Sequence, residues 1–160
     1  MKQLMLIGDA RHGKDTVAEM LRDSYGFRFI PASWTFAEMY MREMLMYDTT
    51  QQCFDDRVNH RKLWGDHIES YNTPDAAALA KMVMGAGSDV YVGTRRRREF
   101  NGAKSLFDHI VWVDRSDHLP KEPPESMELV IDDADIVIDN NGSLEDLSVN
   151  VKRFVSEIRE

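Results

Sequence analysis

The sequence predicts an α/β chain, a three-layer αβα sandwich built on a parallel sheet of five strands. Three observations carry this. Five short apolar runs have the length of strands: Gln3–Ile7, Phe27–Ile30, Val90–Val92, Ile110–Val113 and Ile136–Ile138. Stretches of helical period lie between them, so the strands join by crossovers and run parallel, covered on both faces. The length, 160 residues, suits a single domain spanning the whole chain around one such sheet.

Taken in order, Gln3–Ile7 is a buried strand that stops at Gly8. A helix starts near Lys14, with Val17, Met20, Leu21 and Tyr25 on one stripe, and Gly26 ends it. Phe27–Ile30 is the second strand, closed by Pro31. Phe36, Met39, Tyr40, Met44 and Tyr47 form the next helical stripe, and Leu63, Trp64, His67, Ile68 and Tyr71 another. Thr73-Pro74 reads as the start of a helix reaching Met84, with Thr as N-cap and Pro in the first turn. Val90–Val92 is a strand, followed by helix through Phe107. After the strand Ile110–Val113 comes Leu119–Ser126, rich in proline and charge and disordered in character. The last strand, Ile136–Ile138, leads through Asn140-Asn141-Gly142 to Ser143 and Asp146, spaced as a capping box. The closing helix carries Leu144, Leu147, Val151, Phe154 and Ile158 at core spacing.

Composition narrows the setting. No apolar run approaches the ~20 residues of a membrane span, and no signal-peptide pattern precedes the first strand. Cys53 is the only cysteine, which excludes an intrachain disulfide and fits a reducing cytoplasm. The net charge of −8 is uneven: residues 1–121 hold 17 basic and 17 acidic side chains, residues 122–160 hold 3 and 11. The acidic tail reads as a solvated face, and the neutral body does not repel an anionic partner.

The strongest motif is Gly8-Asp9-Ala10-Arg11-His12-Gly13-Lys14-Asp15-Thr16. Its G-x-x-x-x-G-K spacing falls between a strand and an amphipathic helix, the setting of a phosphate-binding loop. Glycines let the backbone turn and approach an anion, successive N–H groups point inward, and the helix N-terminus adds positive partial charge. Lys14 is placed to reach the outer phosphates of a nucleoside triphosphate. Asp15 stands where a magnesium-binding hydroxyl is usual, and its carboxylate can hold Mg²⁺ directly or through water. Thr16 is left as a hydroxyl donor to phosphate.

The form G-x-x-R-x-G-K-D-T resembles the phosphate loop of phage P-loop kinases, the deoxynucleoside monophosphate kinases and related small phage kinases. The resemblance continues over Asp89–Phe100, Ala134–Leu147 and Asp55–Arg61, and so is spread over most of the chain. It implies a P-loop kinase fold, ATP and Mg²⁺, and transfer of the γ-phosphate to a deoxynucleotide-type acceptor. One branch acts on 5-hydroxymethyluracil within phage DNA, a step in thymidine hypermodification. Another acts on free deoxynucleoside monophosphates. A phage origin would place the protein in the host cytoplasm.

Candidate residues beyond the loop follow from charge and place. Arg95–Arg98 follow a strand at its carboxyl end, where ligands bind in open α/β sheets. Arg95, nearest the strand, is the choice for the phosphates, and Arg96 is a candidate for the acceptor. Asp56, Arg57, Asn59 and Arg61, with His60, form a polar cluster suited to an acceptor's phosphate and base. Trp34, with Phe36 and Tyr40, follows the second strand and is a candidate for stacking on a base. Glu99 reads as an arginine's partner. The strand Val90–Val92 ends without the acid that often supports magnesium, so Asp9, Asp15 and Asp114 remain alternatives. The short chain and arginine run favour DNA as acceptor; the acidic pI near 5.1 favours a free nucleotide. The missing acid also leaves room for a nucleotide-binding regulator without transfer activity.

Overall fold

The computed structural model describes all 160 residues, Met1–Glu160. Its centre is a parallel sheet of β1 (Leu4–Ile7), β2 (Val90–Val92), β3 (His109–Asp114) and β4 (Ile136–Asp139), in the order β2-β1-β3-β4. Leu4 lies opposite Val90 on one side and His109 on the other; Val111 lies opposite Ile136. The chain leaves β1 for one neighbour and returns to the other side for β3, so the strand order reverses between β1 and β3. Open α/β sheets form their ligand crevice at the carboxyl ends of strands at such a point.

Period-two alternation assigns each strand residue to a face. Leu4, Leu6, Val90, Val111 and Val113 face one core; Met5, Ile7, Tyr91, Ile110 and Trp112 face the other. Two helices cover the first: α1 (Lys14–Tyr25) through Val17, Ala18 and Leu21, and at the chain's end α8 (Leu144–Arg159) through Leu147, Val151, Phe154 and Ile158. Between them in sequence, α2 (Ala32–Phe36) runs through a π turn (Ala37–Met41) into α3 (Arg42–Met44), followed by α4 (Thr50–Asp56), α5 (Arg61–Tyr71), α6 (Ala78–Gly85) and α7 (Arg97–Ala103). Their buried side chains, among them Phe36, Cys53, Trp64, Val83 and Phe100, fill the second core. Ser143 caps α8 as its sequence predicts: its side chain accepts from Asp146 N, and Asp146 returns the bond to Ser143 N. No helix is long and apolar enough to cross a membrane.

The sheet has four strands rather than the expected five. Phe27–Ile30 makes only an isolated parallel bridge, Phe29 to Val90, beside β2. Side chains take the place of a ladder here. Arg28 N donates to Asp89 Oδ2 (2.9 Å) and Ile30 N to Ser88 Oγ (3.1 Å), so two of the segment's amides are satisfied by side chains rather than by strand pairing. The helix expected from Thr73-Pro74 starts later, at Ala78. Thr73 Oγ1 turns back to Glu69 O (2.8 Å), while Asn72 Oδ1 and Asp75 Oδ1 accept from Leu79 N and Ala77 N. The Thr73 hydroxyl is thus spent on the preceding helix, and Asn72, not Thr73, accepts from an amide in the first turn of α6.

Asp89 also makes the acid limit of the fold testable. Its side chain is 1% exposed and meets the Arg28 guanidinium at 2.9 Å. Burial pushes the carboxyl upward, but the Arg28 and Gln3 hydrogen bonds more than reverse it, leaving it below the usual range. A lowered folded-state value gives stability that is complete above the unfolded value, about 4, and is lost as pH falls through the folded value. The melting temperature should therefore fall as pH is lowered from about 5 towards 3. Asp89→Asn should be less stable at pH 7 and show a shallower fall; an unchanged pH profile would remove Asp89 as its source.

Candidate functional site

The loop Gly8–Gly13 leaves the carboxyl end of β1 and enters α1 at Lys14. Its glycines are geometric necessities at two points. Gly8 has φ +146°, and a Cβ there would stand 2.7 Å from the Val113 carbonyl oxygen. Gly13 has φ +102° and lies against Asn140 Nδ2, leaving no room for a side chain. Arg11, at φ +63°, takes the left-handed region without being glycine.

Two neighbouring strand ends hold the loop in shape. Asn140, just after β4, donates from Nδ2 to His12 O (2.9 Å), and Arg115 N, just after β3, donates to His12 Nδ1 (2.9 Å). That bond places the His12 proton on Nε2, which is buried without a partner. Arg115 Nη1 donates to Asn140 O (2.6 Å), closing a ring of contacts around β1, β3 and β4. Asn140 and Arg115 were not among the sequence candidates. The only signal for Asn140 was its place after a strand end, which does not say that it points at a loop 128 residues away.

Lys14 Nζ folds back to the carbonyls of Gly8 and Asp9, both at 2.8 Å. Burial, seconded by the Arg95 charge, pulls its ammonium down to about 8. If the charged form binds phosphate, ATP affinity should weaken as pH rises through about 8. Titration calorimetry from pH 7 to 9 reads this; a flat profile would mean that Lys14 does not contribute its charge.

Arg95, in the turn after β2, reaches the loop through Glu122. One Glu122 carboxylate oxygen accepts from both Ala10 N and Arg95 Nη1, and Glu122 N donates to Asp9 Oδ1 (3.1 Å). Burial would raise the Glu122 carboxyl, but Arg95 and the Ala10 amide hold it below the usual range, with help from Lys14. Leu119–Ser126, expected to be disordered, is thus hydrogen-bonded to the Gly8–Gly13 loop, although it has no helix or strand. Its signal was hidden because the partners of Glu122 are 27 and 112 residues away.

The rest of the arginine run is bound by its own chain. Arg96 meets Glu128 (3.3 Å) and the Glu125 carbonyl, Arg97 pairs with both oxygens of Asp133 (2.6 and 2.8 Å), and Arg98 donates to the carbonyls of Asn72 and Thr73. Part of the acidic tail, expected to be a solvated face, therefore neutralises Arg96 and Arg97. Glu99 is not an arginine's partner; Asn72 Nδ2 lies 3.4 Å from it, and burial raises its carboxyl.

The acceptor candidates lie on the helical layer beyond α2. Asp56 accepts from Tyr47 Oη, Asn59 Nδ2 (2.8 Å) and His60 Nε2 (3.2 Å). Asp56 and Asn59, with Tyr47, Asp48, Gln52 and Asp55, line an open groove of about 640 Å³. Arg57 lies flat on Phe54, 3.7 Å from the ring centre, and donates to its carbonyl. Arg61 is exposed. Trp34 packs edge-on against Phe54 (5.3 Å), half-buried. Phe36 is fully buried and Tyr40 stacks on it (4.9 Å), which takes Phe36 out of any base-stacking role.

Asp15 is exposed in the first turn of α1, and Thr16 is half-buried beside it. No three metal-binding side chains cluster anywhere in the chain. Asp15, the sequence candidate for Mg²⁺, presents its carboxylate to solvent. Asp9 is buried and engaged by Glu122 N, and Asp114 by Ser116 N (3.1 Å) and Asn141 Nδ2 (3.4 Å).

No family model matches the chain, and no curated protein matches it. Among solved structures it is similar to TT1252 from Thermus thermophilus, at 16% identity and a TM-score of 0.52, over 98% of this chain and 97% of that one. At that identity the likeness is one of fold: an α/β chain with a parallel sheet and helices on both sides.

Proposed function

We propose that this chain is an ATP-dependent phosphotransferase of the P-loop kinase type. The observation that carries the reading is that the Ala10 amide and Arg95 meet on one Glu122 carboxylate oxygen at the carboxyl end of β1, beside a loop over which Lys14 folds its ammonium. These groups form an anion seat at the start of a 12-residue helix, where a phosphate is stabilised by oriented N–H groups and fixed positive charge.

In this reading the loop amides and Lys14 bind the β- and γ-phosphates. Asp15 would hold Mg²⁺, which when bound would supply charge neutralisation at the phosphates. The acceptor hydroxyl oxygen forms a bond to the γ-phosphorus, the bond to the β,γ-bridging oxygen breaks, ADP leaves, and the hydroxyl proton passes to solvent. Arg95 offsets the charge that grows on the transferring group. Positioning and charge neutralisation are what this reaction requires of a protein.

For the acceptor, the hydroxymethyl group of 5-hydroxymethyluracil in DNA stands first. The acceptor side is open, with Arg61 exposed and the groove beside Asp56 unroofed, so a base attached to a polymer has access. Such a base would be reached from the groove or flipped out. A free deoxynucleoside monophosphate is the second reading. The internal pairing of Arg96, Arg97 and Arg98 favours it, because these arginines are no longer free to grip a DNA backbone.

A γ-labelled ATP assay separates them, with hydroxymethyluracil-containing DNA, ordinary DNA and free deoxynucleoside monophosphates as acceptors. Label in the hydroxymethyluracil DNA alone is the expected result. Label only in free nucleotides would replace the first reading by the second. ATP binding without transfer to any acceptor would leave a nucleotide-binding regulator.

A further inference from the structure

We infer that Glu122 is an internal competitor for the phosphate seat: its loop latches onto the phosphate loop through this carboxylate and must release it before a nucleotide phosphate can bind. The inference rests on the proposed nucleotide-binding role of Gly8–Thr16 and adds a gating step to it.

The first observation is what Glu122 touches. Its carboxylate accepts from Ala10 N and Arg95 Nη1 and lies in the field of Lys14. Those are the groups that would neutralise a phosphate. A carboxylate and a phosphate oxygen cannot accept the same two N–H bonds at once, and two anions in one seat repel. Occupancy by one therefore excludes the other.

The second observation is how the loop is held. Its start is fixed by Arg115 N on His12 and by His118 and Asp117 on Asn141. Its end is fixed by Glu128 N on Arg95 O (3.0 Å) and by Met127 and Leu129, buried in the core. Pro123 O accepts from Ser126 N and Met127 N, a turn that belongs to the fixed end; between Leu119 and Pro124, every hydrogen bond that reaches beyond residues 115–127 passes through Glu122. Lys121, Pro123 and Pro124 are exposed. The middle of the loop is thus a short strap with firm ends and one point of attachment, and that point is the anion seat. Freeing Glu122 releases the strap and the Arg95 guanidinium together, so Arg95 becomes available to phosphate only when the latch is open.

A latch of this kind reduces apparent affinity by the fraction of molecules in which it is open. Glu122→Gln keeps the size of the side chain and removes its charge; Glu122→Ala removes the contact altogether. Both are measured against the wild-type chain by calorimetric titration with ATP, with and without Mg²⁺, after a melting curve shows each variant folded. Both variants should bind ATP more tightly, by about tenfold if the latch is closed nine-tenths of the time. Equal affinity in wild type and variants would overturn the latch and leave the phosphate-loop reading standing. Weaker binding by the variants would make Glu122 part of the nucleotide site and would also overturn it. Absence of ATP binding in all three would overturn the phosphate-loop reading, and the latch with it.

Discussion

Lys14→Ala should lower phosphoryl transfer by at least about 10²–10³-fold, the cost of losing one preorganised charge at a reacting group. The ammonium lies over its own loop, bonded to the carbonyls of Gly8 and Asp9, in a partly buried setting that already weakens its proton. In such a setting a charge acts on phosphate with little solvent screening. Lys14→Arg should fail nearly as badly, because a planar fork cannot reproduce a compact ammonium folded back on two carbonyls. The initial rate of label transfer from γ-labelled ATP measures both variants. Transfer within tenfold of wild type would refute the assignment of this loop to the donor phosphates.

Phe36→Ala should destabilise the fold by about 3–5 kcal/mol, the usual cost of emptying a buried aromatic site. Phe36 is fully buried, with Tyr40 stacked on it and the rings of Trp64 and Tyr71 edge-on at 6.1 and 5.6 Å. These rings join α2, its π turn and α5, which carry Trp34 and Arg61 of the proposed acceptor side. The loss is a large share of a typical domain's total stability of roughly 5–15 kcal/mol. It should appear as a fall in the urea midpoint with little change in slope. Since α5 is braced on Phe36, the substitution should also weaken use of the acceptor more than binding of ATP. A loss below about 1 kcal/mol would mean that the ring's neighbours close the gap, contrary to close packing.

The pairing of the arginine run changes how the charge of this chain reads. Glu122, Glu128 and Asp133 answer Arg95, Arg96 and Arg97. The acidic tail and the basic run, separate in sequence, form one network along the edge of β2 and α7. Partly exposed pairs of this kind contribute modest stability each. Their larger effect is positional: they bring the β3–β4 connection against the Gly8–Gly13 loop, which is how Glu122 arrives there.

Much of this protein was legible locally. The apolar runs Gln3–Ile7, Val90–Val92, Ile110–Val113 and Ile136–Ile138 became β1 to β4 with ends displaced by no more than one residue, and the Ser143 capping box and the glycine–lysine loop are short-range motifs. Such features depend on residues within a few positions of each other, so the sequence by itself determined them, along with the parallel α/β class. The tertiary structure alone decided whatever depends on distant partners. Phe27–Ile30 fell short of a strand because Ser88 and Asp89, some 60 residues on, took its amides. Phe36 became core and Trp34 a half-buried neighbour of Phe54 through the packing of separate helices. The Gly8–Lys14 turn between β1 and α1 was visible from its spacing, but Asn140, Arg115 and Glu122 reach it only because strand order sets the ends of β1, β3 and β4 side by side. Periodicity records which face of an element is apolar; it does not record which distant side chain arrives at its end.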